Sequence, residues 1–250
     1  MSRRAVCHIG TSGWYYDHWR GPFYPADLAR KDFLSFYARF FHTVEINHSF
    51  YQLPSKDTLK QWYDTVGEGF CFAVKASRYI THMKKLKNPS NSLRSFFDAI
   101  EILRPKAGPV LFQLPPRWRC NAERLRAFLE QLPPGWRIVF EFRDESWFDE
   151  AIYSLLSDHK AAFCIYELAG LNAPEVVTAD FVYVRLHGPA ETAYQGSYTH
   201  RQLADWARKC RRWNRQGKDV YCFFDNDQNG LAAQNALTLQ QLSTEQRTLR

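Results

Sequence analysis

Glu45 and Asn47 lie two residues apart in the stretch TVEINHSFY. In an extended strand such residues point to one face, because successive side chains alternate. A carboxylate and an amide on one face of an otherwise apolar strand are groups that can move a proton or hold a polar ligand. The arrangement recurs along the chain. Glu141 and Arg143 share a face in IVFEFRDESW, Arg185 and His187 in YVRLHG, and Asp225 and Asp227 in CFFDND. Lys75 closes FAVK and Gln113 closes VLFQLPP. Each run begins apolar and ends polar.

These residues need elements to position them. Apolar runs at residues 6–10, 43–47, 70–75, 109–113, 138–143, 162–166, 181–187 and 220–225 read as strands. Helical patterns separate them, at about residues 31–40, 55–66, 92–103, 122–132, 148–157, 199–216 and 229–242. Leu203, Trp206, Ala207, Cys210 and Trp213 recur at helical spacing and give one helix an apolar face. The segment after Tyr166, ELAGLNAPEVVTAD, is short and has room for one turn of helix. Strands alternating with helices predict a parallel α/β sheet. Eight strands in 250 residues match a single (β/α)8 TIM-type barrel domain over residues 1–250. An open doubly wound sheet competes less well, because no G-x-G-x-x-G opens a helix after the first strand. No linker or low-complexity tract divides the chain.

In such a barrel alternate strand residues point inward, and active sites are built at the C-terminal mouth. The expected mouth is ringed by Glu45, Asn47, Lys75, Gln113, Glu141, Arg143, Arg185, His187 and Asp225. Burying these charges unpaired would be costly, so Glu141 is expected to pair with Arg143 and Lys75 with Glu45. An ion-pair network that only caps the barrel explains one such pair. Polar residues at the same end of six strands favour a functional mouth.

Three chemistries fit. In the first, Glu45, Glu141, Asp225 and Lys75 do acid/base work on a polar or anionic small molecule, phosphorylated or sugar-like. Trp14, Asn47, Tyr51, Gln113, Arg143, Arg185, His187 and Asn226 would bind it, the arginines through planar forks suited to carboxylate or phosphate. In the second, a metal-dependent phosphodiesterase or nuclease-like enzyme, Mg²⁺ or Mn²⁺ sits on Glu45, Glu141, Asp225 and His187, with His48 and His82 nearby. No H-E-x-x-H or H-x-H is present, so a site without metal or cofactor is preferred, and His42 reads as structural. In the third, a non-catalytic nucleic-acid binder, RYITHMKKLK at residues 78–87 grips phosphates. The second basic run, RKCRRWNRQGK at residues 208–218, reads as the solvated face of an outer helix. In the aromatic loop WYYDHWRGPFYP, Trp14 is expected to offer a stacking wall, and Trp19 and Phe23 to pack.

Composition narrows the setting. Hydrophobic residues make up 45% and charged residues 24%, an ordinary globular balance that excludes a disordered or fibrous chain. Lys and Arg outnumber Asp and Glu to give a net charge of +7, which favours anionic partners. The six cysteines form no C-x-x-C pair. Cys7, Cys71, Cys164 and Cys222 sit in strand-like runs and read as reduced core thiols. No apolar stretch approaches the ~18 residues of a membrane span. A soluble cytoplasmic protein, with no membrane partner, is expected.

Seven ordered motifs resemble one family. They are GTSGWYY at residues 10–16, VEINHSFYQLP at 44–54, FAVKASRYITHMKKL at 72–86, GPVLFQLPP at 108–116, EFRDESW at 141–147, RLHG at 185–188 and YCFFDNDQNGLAAQNA at 221–236. This series, over about residues 6–242, is similar to the YecE-like family, domain of unknown function 72. The resemblance implies a TIM-type barrel and implies no particular reaction.

Overall fold

A computed structural model of the chain describes residues 4–169 and 171–244. In order, the elements are β1 (Cys7–Thr11), α1 (Phe33–Tyr37), β2 (Thr43–Ile46), α2 (His48–Tyr51), α3 (Lys56–Thr65) and β3 (Cys71–Lys75). Next come α4 (Ser90–Ile100), β4 (Ala107–Gln113), α5 (Ala122–Leu129), β5 (Ile138–Glu141), α6 (Glu150–Asp158) and β6 (Ala162–Leu168). The chain closes with β7 (Leu171–Asn172), β8 (Phe181–Leu186), α7 (His200–Arg215), β9 (Asp219–Phe224) and α8 (Leu231–Thr244). All eight runs that the sequence marks as strands form strands, with ends that differ by no more than two residues.

The elements fall in two compact units, Met1–Glu45 with Ile165–Ala173 and Asp180–Arg250, and Ile46–Cys164 with Pro174–Ala179. In the first unit β1, β9 and β8 pair in parallel, with Cys7 opposite Val220, Tyr183 opposite Tyr221 and Arg185 opposite Phe223. Ser12, just past β1, bridges in parallel to Glu45 of β2. The His187 N–H donates to the Glu167 carbonyl at the end of β6. Helix α7 starts at a capping box in which the Thr199 and Gln202 side chains satisfy each other's backbone N–H groups. Its Leu203, Trp206, Ala207, Cys210 and Trp213 are all buried, as their spacing predicts. Each large side chain removed from water this way contributes about 1.5–3 kcal/mol.

In the second unit β3, β4, β5 and the start of β6 pair in parallel. Lys75 stands opposite Leu111, and Gln113 opposite Glu141. Phe112, Phe128, Phe140, Phe142 and Trp147 are buried and in ring contact, and they form the helix-facing core behind β4 and β5.

Several elements differ from expectation. The segment after Tyr166 makes no helical turn at its start: β6 runs on to Leu168 and folds back antiparallel onto β7, with Leu168 opposite Leu171. The backbone there is already extended because the Glu167 carbonyl is bound by His187. The helix expected over residues 31–40 splits into a 3-10 turn (Arg30–Asp32) and the short α1. Cys164 and Cys222 are core thiols, but Cys7 and Cys71 open their strands and are half-buried. His42, read as structural, is exposed. Among the described residues no helix is long and apolar enough to cross a membrane.

Close approach of β1 and β2 depends on Gly10, where a Cβ would lie 2.4 Å from the Thr43 carbonyl oxygen. Gly10→Ala is therefore expected to cost about 1–3 kcal/mol through overpacking, read as a fall in the urea midpoint at unchanged slope.

Candidate functional site

The strand-end residues form two polar clusters, one in each unit. In the first, Glu45 of β2 is fully buried, yet both of its oxygens are occupied. Arg185 of β8 grips it bidentately: Nη2 donates to Oε1 at 2.7 Å and Nε to Oε2 at 3.0 Å. Tyr183, two residues earlier and so on the same face, donates its hydroxyl to Oε2 at 2.6 Å. The Ser12 hydroxyl donates to Oε1. Arg185 is itself 0% exposed, and its Nη2 also donates to Ser12 Oγ (2.9 Å) and Asp225 Oδ2 (3.0 Å). The same Asp225 oxygen lies 3.0 Å from His187 Nδ1. Six side chains from four strand ends thus make one continuous network. Tyr37 supports it from behind: its hydroxyl accepts from the Thr11 N–H and donates to the Thr43 carbonyl, and burial drives its pKa upward.

The loops after β8 and β9 are tied together beside this network. Asn226 is fully buried and donates from Nδ2 to the Gly196 carbonyl (2.8 Å) and Asn235 Oδ1 (2.9 Å). Its Oδ1 has no hydrogen-bond partner among the described residues. The Tyr194 ring stands edge-on to His187, 5.3 Å between centroids. Burial, and then the charge of Asp225, push the Asp227 carboxyl above its ordinary value, while His18 partly offsets them. Trp14 is 4% exposed, and its carbonyl accepts from Tyr24. A stacking wall needs an open ring face, so the role expected of Trp14 is corrected to packing. Trp19 and Phe23 pack as expected, edge to face.

In the second unit Glu141 ends β5 fully buried. Gln113, its neighbour across the strand pair, donates to Oε1 at 2.8 Å, and Arg143 donates from Nε to the same oxygen. The expected Glu141–Arg143 pair is present. Lys75 ends β3 with its ammonium 4.4 Å from the centre of the Phe50 ring, a cation–π contact. Phe50 belongs to α2, which the Ser49 hydroxyl pins to the Lys75 carbonyl at 2.6 Å. Asn47 stands at the start of α2, and Tyr51 at its end is 71% exposed. The Phe50 ring also meets His82, 5.0 Å away and edge-on. His82 rides on a π-helical turn (Tyr79–Met83), with Nδ1 2.9 Å from the Thr81 hydroxyl. Burial, then the charges of Lys75, Arg78 and Arg143, lower its pKa to about 4, against a smaller opposing pull from Glu141. The imidazole is therefore neutral at pH 7.

The cation gripping Glu45 is Arg185, and the Lys75 ammonium lies over the Phe50 ring. Among the described residues no group of three or more His, Cys, Asp or Glu is placed to hold a metal ion. Arg185 occupies the position between Glu45 and Asp225 that a divalent cation would need. Sequence reasoning missed Ser12, Tyr183, Ser49 and Phe50, and valued His82 only as a metal neighbour. Tyr183 was recoverable, since the two-residue rule that pairs Arg185 with His187 extends to it.

Removing one partner of a buried pair strands the other charge. Arg185→Met is expected to cost about 3–5 kcal/mol, and the double variant Arg185→Met/Glu45→Gln to recover part of the loss, as read by urea denaturation. Equal losses in single and double variants would show that the pair is not the source.

Three comparisons converge. The profile described as "Protein of unknown function DUF72" matches residues 8–250. UPF0759 protein YunF of Bacillus subtilis is 30% identical, over 95% of this chain and 94% of its own. Among solved structures, a DUF72 family protein of Thermotoga maritima superposes with a TM-score of 0.86 at 28% identity, covering 95% of this chain and 98% of that one. A DUF72 family protein of Enterococcus faecalis does so with a TM-score of 0.80 at 20% identity, covering 96% of each chain, which bears on the fold alone. The fold class is thus α/β, a TIM-type barrel of parallel strands, as the strand count predicts. The chain belongs to the DUF72 family.

Proposed function

We propose that the Lys75–Arg143–His82 cluster of the second unit binds a small polar anion, phosphorylated or carboxylated, and that His82 serves as a hydrogen-bond acceptor toward it. The supporting observation is a gathering of cations around one half-buried imidazole. Lys75, Arg78 and Arg143 all act on His82, with Glu141 pulling the other way. Glu141 is committed to Arg143 and Gln113. A half-buried neutral imidazole among several cations is poor at holding another proton of its own, but it is well placed to accept a hydrogen bond from an anion's hydroxyl. Lys75 and Arg143 supply the charge-assisted contacts, and exposed Tyr51 offers a ring beside them.

The same geometry redistributes the roles expected from the sequence. Glu45 and Glu141 work as anchors that orient Arg185 and Arg143, while Lys75 acts on the ligand. Asp225 orients His187 through Nδ1. A cytoplasmic setting suits six cysteines that are thiols rather than disulfides.

His82 also links the cluster to pH. Its folded pKa, about 4, lies below its ordinary 6.5, so the unfolded chain binds more protons between these values. Its contribution to stability is complete above about pH 6.5 and is lost as pH falls toward 4. Inorganic phosphate is the simplest probe of the site. Calorimetric titration at pH 7 is expected to show binding that Lys75→Met weakens at least about tenfold (about 1.4 kcal/mol) with little change in thermal midpoint. Undiminished binding by the folded Lys75→Met protein would contradict the assignment.

A further inference from the structure

A second surface of the same unit carries an inference that does not depend on the anion pocket. We propose that the segment after β3, residues 78–87, together with the groove at the starts of α4 and α5, is a track for single-stranded nucleic acid. The segment opens with the π-helical turn, which leaves Tyr79 45% and Met83 66% exposed. Two large apolar side chains left in water on one short turn are not explained by folding. Immediately after them, Lys84, Lys85 and Lys87 are all exposed. Their turn is strained. Lys85, Leu86 and Asn88 adopt φ of 47°, 64° and 45°, a region that non-glycine residues seldom occupy. Buried Leu86, whose N–H donates to the Ile80 carbonyl at 3.0 Å, holds the turn in this form. The effect is to turn the lysines outward around an apolar anchor.

The cations of the other basic run provide the contrast. On α7, Arg208 is paired with Asp205, Arg211 donates to the Leu242 carbonyl, and Lys209 and Arg212 lie over the Trp206 and Trp213 rings. Those charges serve the helix itself. Lys84 lies over the Tyr79 ring, but the side chains of Lys85 and Lys87 have no ion pair or hydrogen bond among the described residues. From Lys87 the surface continues into a groove of about 740 Å³, lined by Asn88, Asn91, Asn121 and Arg124 among others. Cations and amides along a groove suit the phosphates and base edges of an extended strand, and an exposed tyrosine suits a base face. A duplex hides its base faces within its own stack, so the tyrosine and methionine favour a single strand.

The test uses fluorescence anisotropy with fluorescein-labelled single strands of about 15 nucleotides, DNA and RNA, spanning one to several site lengths. Binding of either is expected, with a log–log salt slope of about −2 to −3 for four cations. Lys84→Glu/Lys85→Glu/Lys87→Glu should abolish it, and Tyr79→Ala/Met83→Ala should weaken it about tenfold even at high salt. Arg211→Glu/Arg215→Glu on α7 and Lys75→Met should leave it unchanged. All these variants except Lys75→Met change exposed or partly exposed side chains, and thermal midpoints confirm folding. No binding of either strand would overturn the proposal. So would equal loss on reversing the α7 charges, tighter binding of a duplex, or indifference to the Tyr79/Met83 change, since each would mark nonspecific attraction to a basic protein.

Discussion

The bidentate pair between Arg185 and Glu45 is the interaction on which the first unit's polar interior depends. Two fully desolvated ions cost several kcal/mol each to bury, and here every oxygen and most guanidinium donors are met. Tyr183 and Ser12 complete Glu45, while Asp225 and Ser12 complete Arg185. These groups come from the ends of four parallel strands, so the network fixes the strand ends relative to one another. Gly10 permits the close approach of β1 and β2 that brings Ser12 to Glu45. A hydrophobic substitute could supply comparable stability, so the pair argues for a precise arrangement of groups more than for a stable one.

The second unit resolves the same constraint differently. Parallel strands that end in polar residues deliver several charges to one face, and Glu141, Arg143 and Gln113 answer each other within that face. Lys75 rests its ammonium on the Phe50 ring. Burial, and then the charges of Lys75, Arg78 and Arg143, keep His82 neutral beside them. The first network centres on the Glu45 carboxylate, gripped by Arg185. The second gathers Lys75, Arg78 and Arg143 around one imidazole, and a gathering of cations suits an anion. That difference is why binding is assigned to the second cluster, and why Glu45, first to attract notice in the sequence, is assigned to support.

Much of this was legible in the sequence because the two relevant periods are simple. The two-residue alternation places Glu141 beside Arg143, and the helical spacing of Leu203, Trp206, Cys210 and Trp213 marks the buried side of α7. What was not legible lies where no period applies. Helix α2 is four residues long and the π-helical turn five, too short for a pattern, yet they carry Phe50 and His82. The hairpin of β6 and β7 depends on a backbone bond from His187, and no local signal announces it. Trp14, at a strand exit, reads as a wall, and only its burial shows that it packs. His82 was undervalued because its pKa is set by burial and then by Lys75, Arg78 and Arg143, none of which the sequence shows to surround it.

The most direct test of the central claim is the titration of the His82 ring by NMR, with and without saturating phosphate and with His82→Gln to assign the signal. A buried imidazole among cations predicts a midpoint near pH 4 in the ligand-free protein and a clear upward shift when a bound anion offsets the charge of Lys75 and Arg143. A midpoint near the ordinary 6.5, or one that phosphate does not move, would contradict it.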